Sequence, residues 1–293
     1  MTATAAGADG PTTVLTSIAE KTGWRQISGP LFRKYVGLFL AVVCIALLSN
    51  GLFEIFFSYR EHTESLIRIQ REQAEGAAEK IGLFIKEIES QMGWTTQLTW
   101  SASTIEQRRF DGLRLLCHVP AITEFAQLDA SGKEQLGVSR LTGDHREHND
   151  YSQDPKFSEA KGKKVYYGPV YFQRQLPYMT LSVAGTRPEY GVSVAEVNLL
   201  LVWNVVSQMK VGERGQAYVI DAGGRVIAHT DISLVLGNAD MTKLAQIQAA
   251  RAGNSEPVQE AKDILGRDVL TAYAPVTPLG WLVFVEIPIE EAK

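Results

Sequence analysis

The chain has 293 residues, 45% of them hydrophobic, and a formal net charge of −4. Such a length accommodates one or two domains, and the composition excludes collagen-like and wholly disordered chains. The mild acidity, without clustered Lys and Arg, argues against nucleic acid as a partner, because phosphate binding needs concentrated positive charge. Of the two cysteines, Cys44 lies in an apolar segment and Cys117 far downstream. No disulfide between them is expected, so compartment must be read from topology.

Residues 1–20 are small and polar and are expected to form a disordered tail within a cytoplasmic segment 1–34. From Val36 to Leu48 the run VGLFLAVVCIALL carries no strongly polar side chain, and apolar character resumes after Gly51 through Phe57. The span 35–57 is therefore predicted to cross a membrane, since about 20 helical residues match a hydrocarbon core of roughly 30 Å. Asn50 and Glu54 are tolerable near its far interface, and Tyr35 and Tyr59 are placed as interface anchors. Lys21, Arg25, Arg33 and Lys34 flank the near end. They predict a cytoplasmic N-terminus and an extracytoplasmic chain beyond about residue 58. A buried core helix would be punctuated sooner, and a cleaved signal peptide would show a shorter basic region and a small-residue cleavage site.

Residues 58–100 are rich in Glu, Lys, Arg, Gln and Ala and lack Pro, which predicts one long helix. Ile67, Ala74, Ile81 and Ile88 recur every seventh residue, with Ala77, Phe84, Ile85 and Met92 alongside. This apolar stripe fits a helix packed on its own domain or a dimer interface that carries a signal axially, and both uses are expected.

After residue 120 the pattern turns to short alternating strands. Ile122–Asp129, Gln135–Arg140, Val165–Gln173, Tyr178–Gly185 and Gly191–Asn198 read as an antiparallel sheet, followed by an apolar helix over Leu199–Met209. The pattern then repeats. AYVIDAGGRVIAHTD (Ala217–Asp231) mirrors FAQLDASGKEQLGVSR, with Asp129 and Asp221 in matching turns 92 residues apart. VLTAYAPV (Val269–Val276) and GWLVFVEIP (Gly280–Pro288) are read as mirroring the strands from Val165 and Tyr178. The expected fold class is α+β: a transmembrane helix, a long helix, and two tandem antiparallel-sheet modules over 101–200 and 201–293.

The long entry helix, LDASGKEQLGVSR, GPVYFQRQLPYMTLSVAG and VGERGQAYVIDAGGRVIAHTD together resemble the double Cache family of tandem PAS-like sensor domains, over roughly residues 60–290. The resemblance implies the input region of a bacterial inner-membrane receptor, similar to sensor histidine kinases or cyclases. It also implies a small-molecule ligand in the membrane-distal module 101–200. The heptad-spaced stripe points to a homodimer, and no cofactor is expected. The amino-acid-binding subset carries an Arg-x-Trp-Tyr signature. The matching stretch here, Asp150–Ala160, lacks that Arg and Trp, so the signature does not support amino-acid sensing. Carboxylate-sensing relatives set Arg or Lys among aromatics and hydroxyls. Arg140, Tyr151, Tyr178, Thr180 and Ser182 are the candidates for that chemistry, a guanidinium gripping a carboxylate while hydroxyls orient it. Lys156, Lys164 and Arg174 are the next cations in line.

Other constellations point less far. Asp144, His145, Glu147, His148 and Asp150 crowd one loop with zinc-compatible groups, but a solvated charged loop is the commoner meaning and no metal site is expected. His229 reads as a structural hydrogen-bonder. No phosphate loop, nucleophile elbow or paired-Cys motif occurs, and no kinase or cyclase segment is recognisable, so the segment is expected not to be an enzyme. WLVFVEIPIEEAK ends where relatives enter a second membrane helix, an expectation of either a shortened receptor or one without its output half. A chemoreceptor input domain, a membrane-tethered binding or decoy protein and an extracytoplasmic metalloenzyme are the rival readings.

Overall fold

The computed structural model describes residues 30–98, 104–140, 143–144, 149–237, 239–253 and 260–291. The polar tail and the centre of the His-rich loop, His145–His148, lie outside the described residues. The chain forms two compact units, residues 1–58 and 59–293, and helix α1 (Pro30–Leu98) contributes to both.

In the first unit, Arg33–Glu54 is a helical segment of 22 residues, long and apolar enough to cross a membrane, with none of its window buried in protein. Phe39 and Leu47 are 71% and 66% exposed, as are similar neighbours around the helix. An all-round apolar surface of this kind needs lipid rather than water against it, so the segment fits a transmembrane helix. It begins two residues before the expected span and ends at Glu54, where the charge interrupts the apolar run.

The second unit continues from α1 to α2 (Ile105–His118), β1 (Ile122–Leu128), β2 (Glu134–Ser139), β3 (Gly143–Asp144), α3 (Pro155–Lys163), β4 (Val165–Gln173), β5 (Leu176–Ala184) and β6 (Val192–Asn198). There follow α4 (Leu200–Ser207), β7 (Gln216–Ile220), β8 (Val226–His229), α5 (Ile232–Leu236), α6 (Ala245–Arg251), β9 (Glu260–Lys262), β10 (Asp268–Val276) and β11 (Trp281–Pro288). The strands form two antiparallel sheets, ordered β3-β2-β1-β6-β5-β4 and β8-β7-β11-β10-β9. Apart from the short β3, the orders correspond strand for strand, with β1 matching β7, β2 matching β8, β5 matching β10 and β6 matching β11. The later repeat is therefore displaced by one strand from the sequence reading. VLTAYAPV is the counterpart of β5 and GWLVFVEIP of β6, because the counterpart of β4 is the short β9.

The matching Asp turns are the same structure twice. In each, the Asp carbonyl accepts from a glycine N–H, Gly132 or Gly224, and the Asp N–H donates to the carbonyl of Lys133 or Arg225. Both glycines take φ near +89° and +88°, a left-handed conformation that side chains disfavour. Asp263, Gly266 and Arg267 form a third copy before β10.

One face of each sheet packs on α1. Ala74, Ala77, Ile81, Ile85, Ile88 and Met92 are buried with Phe125, Leu181 and Val197 of the first sheet and Val219, Val276 and Val283 of the second. Thr96 donates to Ser193 at 2.7 Å and Glu89 accepts from Tyr167 at 2.6 Å, so the last turns of α1 serve the first sheet. Ile67 packs with Leu270, so the part of α1 around Ile67 serves the second. The heptad-spaced stripe is thus covered by the chain's own sheets: Ala74 and Ile81 are fully buried, while Leu83 and Trp94 on other faces are 59% and 64% exposed. Between the sheets, the Arg225 guanidinium donates to the Val170 carbonyl of β4 at 2.7 Å.

Candidate functional site

The other face of the first sheet is the one that differs from an ordinary packed surface. Strand alternation puts apolar Phe125, Val138, Leu181 and Val197 toward α1, and register then fixes what looks the other way. Glu124 stands opposite both Ser139 and Glu196, and Glu196 opposite Thr180, so Ser139, Glu124, Glu196 and Thr180 form one row across four strands. The next row holds Gly137, Ala126, Val194 and Ser182. Small Gly137 and Ala126 leave a cavity of about 220 Å³, bounded by Glu124, Glu134, Ser139, Glu196, Tyr151 and Lys156 among others. The wall opposite the sheet is α3 and the segment leading into it. Asp154 caps α3 by accepting from the Lys156 N–H at 2.9 Å, with Pro155 in its first turn.

Glu196 is the most constrained group. Its carboxylate accepts from the Tyr171 hydroxyl at 2.6 Å and from Thr180 at 3.0 Å. Burial raises its pKa above the usual carboxylate value and the neighbouring Glu124 adds to the rise, against the hydrogen bonds and the Lys156 charge. Burial together with the bond to Glu196 pushes the Tyr171 hydroxyl well above its ordinary range, so it remains a donor. Glu124 accepts from Ser139 at 3.4 Å. The Lys156 ammonium lies 3.7 Å from the Tyr151 ring centre, a cation–π contact.

Of the residues expected from the sequence, Tyr151 lines the cavity. Thr180 shares its floor row and holds Glu196. Tyr178 stacks on Tyr171, with centroids 6.0 Å apart, and its hydroxyl accepts from Asn198 at 3.3 Å. Ser182 is fully buried in the adjacent row, and its hydroxyl has no partner among the described residues. Arg140 does not join them. It follows the end of β2, exposed, and its guanidinium donates to the Ile122 carbonyl at 2.9 Å and the Val119 carbonyl at 3.3 Å, tying β2 to the start of β1. Of the reserve cations, Lys156 reaches the cavity. Glu124, Glu134 and Glu196 were not anticipated. Their signal is parity, one acid on each of β1, β2 and β6 at a position facing away from α1, and it becomes readable only once the register is known. Among the described residues no cluster of His, Cys, Asp and Glu suits a metal ion.

On the same face of the second sheet, among the described residues, side chains fill the equivalent space. Glu286 stands opposite Gln216 and Thr271, as Glu196 does opposite Glu124 and Thr180. Tyr218 pairs with His229 at the places held by Ala126 and Gly137. Tyr218 stacks on His229 at 5.6 Å and on Phe284 at 5.1 Å between centroids. Tyr218, Gln216 and Gln246 all donate to Glu286, at 2.6, 2.9 and 3.0 Å. Burial raises the pKa of Glu286 and lowers that of His229.

The family described as Cache domain matches residues 58–293. No curated protein sequence matches the chain. Among solved structures, the ligand-binding domain of the Campylobacter jejuni chemoreceptor Tlp3, in complex with 4-methylisoleucine, aligns with a TM-score of 0.63 at 15% identity, covering 79% of this chain and 94% of that one. The extracellular domain of mmHK1S-Z2, named as a histidine kinase, aligns with a TM-score of 0.64 at 15% identity over 78% and 98% of the two chains. The ligand-binding domain of the Pseudomonas aeruginosa amino-acid chemoreceptor PctB, in complex with L-Arg, aligns with a TM-score of 0.58 at 16% identity over 78% and 89%. At these identities the likeness is one of fold.

Proposed function

Since the chain belongs to the Cache domain family over residues 58–293, we propose that it is the signal-input region of a bacterial membrane receptor, with residues beyond about 58 extracytoplasmic and a small ligand held in the cavity of the first sheet. The observation that carries this reading is the contrast on the ligand-side faces: the first sheet opens a polar cavity where the second closes the equivalent space with Tyr218 and His229. A preformed concavity with a few convergent polar groups is how small-molecule sites are built. Amino-acid ligands in the Tlp3 and PctB structures support a small, polar ligand here. Ligand contacts at α3 and on β1, β2 and β6 also touch the sheet that rests on the C-terminal half of α1. Occupancy that favours one packing of sheet on helix would be transmitted along α1. The homodimer contact is assigned to outward faces of α1, where Leu83 and Trp94 are exposed, because the heptad-spaced stripe is already covered.

Two experiments test this. A periplasmic reporter fused after Glu61 is expected to be active, because Arg33 and Lys34 hold the N-terminus inside, and an active cytoplasmic reporter at that site contradicts the topology. A thermal-shift screen of the full chain in detergent against small metabolites is expected to find at least one that raises the melting midpoint, because a ligand selective for the native state stabilises it. A broad panel with no stabilising compound contradicts the binding role.

A further inference from the structure

The cavity's charge says what class of ligand it takes. Among the described residues, the carboxylates of Glu124 and Glu196 stand side by side at its floor, and Lys156 is the cation on its wall. Glu124 and Glu196 are direct cross-strand neighbours. Like charges directly opposite on adjacent strands destabilise a sheet, because the side chains sit only about 5 Å apart at Cβ. At the matching place the second sheet carries neutral Gln216 beside Glu286, and that pair closes on itself through a 2.9 Å hydrogen bond. Among the described residues, Glu124 and Glu196 have no such closure. Tyr171 and Thr180 turn their hydroxyls to Glu196, which holds the carboxylate as an acceptor, and Glu124 has only the long bond from Ser139 among the described residues. Lys156 offsets the pair only through space: its charge favours ionised Glu196, but the ammonium sits on the Tyr151 ring and forms no ion pair among the described residues. In the second module its counterpart, Gln246 on α6, donates to Glu286 and completes that network. The first sheet thus keeps a repulsive pair at an open floor, next to the unpartnered, fully buried Ser182 hydroxyl in the adjoining row.

We propose that the cavity binds a small organic cation, a molecule with a primary ammonium group that sits between Glu124 and Glu196 and takes the place of the missing counter-charge. This rests on the ligand-binding reading of the first sheet and narrows it from any small polar molecule to an amine. A primary ammonium offers three donors, enough for both carboxylates and a neighbouring hydroxyl. Tyr151 and Lys156 close the opposite wall, and the cation there disfavours a second positive charge at that end, so the ammonium enters toward the sheet. Binding requires Glu196 ionised. Because burial raises its pKa, amine affinity falls as the pH is lowered through the range where Glu196 takes up a proton.

The test uses the full chain in detergent with three probes at millimolar concentration: butylamine, tetramethylammonium and butyrate. Butylamine, which carries one ammonium, is expected to raise the melting midpoint more than tetramethylammonium, which has no N–H to donate, and butyrate is expected to have no effect. Glu124→Gln and Glu196→Gln should each weaken butylamine binding roughly tenfold to hundredfold. Glu124→Gln, which recreates the Gln216–Glu286 pairing, should leave the unliganded midpoint equal or higher. That result separates a lost ligand contact from a damaged fold. A shift produced by butyrate and not by butylamine, abolished by Ala126→Tyr, overturns the amine class while leaving the site in place. A butylamine shift that survives Ala126→Tyr unchanged removes the site itself. No shift from either cation overturns the proposal.

Discussion

On the first sheet Ala126 faces Gly137 and a cavity of about 220 Å³ opens above them. On the second, the same register position pairs Tyr218 with His229, and both rings are buried. Around this difference the two faces share a frame: a Glu on the central strand, Glu196 or Glu286, opposite a Thr on the next, Thr180 or Thr271. What changes is whether protein or solvent fills the space beside the carboxylate. In the second module Phe284 and Tyr218 supply apolar bulk, and Gln216, Gln246 and the Tyr218 hydroxyl satisfy Glu286. The lesson is that one architecture opens a cavity or closes it depending on a few side chains on one face. The Arg225 link to Val170 joins the filled module to β4 of the open one.

The comparison breaks most visibly if the aromatic filling is removed. Phe284→Ala is expected to cost about 3–5 kcal/mol in urea unfolding, because it leaves a cavity in a core that cannot collapse. Val194→Ala, at the matching place beside a space already open, should cost markedly less. Equal losses would show that both faces are packed alike. Next in size is the carboxylate network. Tyr218→Phe removes a donor from fully buried Glu286 and is expected to cost about 1–3 kcal/mol. Tyr171→Phe should cost less, since Tyr171 is 37% exposed and water can replace it.

The pH response sharpens the same contrast. The folded pKa of Glu286 is raised above its ordinary 4.5, so the protonated form is favoured in the fold. Its contribution is fully present below pH 4.5 and is lost as pH rises through the folded value. The folded pKa of His229 is depressed below its ordinary 6.5, so its contribution is present above that pH and is lost as pH falls through the folded value. Glu286→Gln should flatten the first limb and His229→Asn the second, as read by unfolding midpoints across pH. A profile unchanged by Glu286→Gln contradicts a buried carboxylate in the second module. The smallest expected effect is at Arg140. Arg140→Ala loses two bonds at an exposed position, about 1 kcal/mol or less, and should leave any ligand-induced shift intact. Loss of that shift would place a ligand contact at the end of β2.

Most strands were legible because alternation and Asp-Gly turns are local signals: Val165–Gln173 is β4 to the residue, and the Asp129 and Asp221 turns share the same two backbone hydrogen bonds. The one-strand displacement of the repeat arose because β9 spans only Glu260–Lys262, too short to show a period. Helix α3 carries its own signal, Asp154 as cap with Pro155 next, inside the stretch Asp150–Ala160 that corresponds to the family's ligand signature. The heptad spacing of Ile67, Ala74, Ile81 and Ile88 identified a buried face correctly, but periodicity is the same whether a sheet or a second helix covers it. The site was legible in part. Arg140 was singled out by residue type, yet its neighbours in space are backbone carbonyls. Glu124 and Glu196 lie 72 positions apart and meet only through β1–β6 pairing, a long-range fact no local pattern contains.

The central claim is that the first sheet's open face is the binding site, and filling it is the direct test. Ala126→Tyr gives the first sheet the side chain that its counterpart Tyr218 carries in the second. Melting midpoints of the full chain and this variant are to be compared, with and without each compound that stabilises the unmodified chain. The account predicts that every such stabilisation disappears in Ala126→Tyr while the unliganded midpoint stays close to that of the unmodified chain. A compound that stabilises both forms equally would contradict it and place the ligand elsewhere on the molecule.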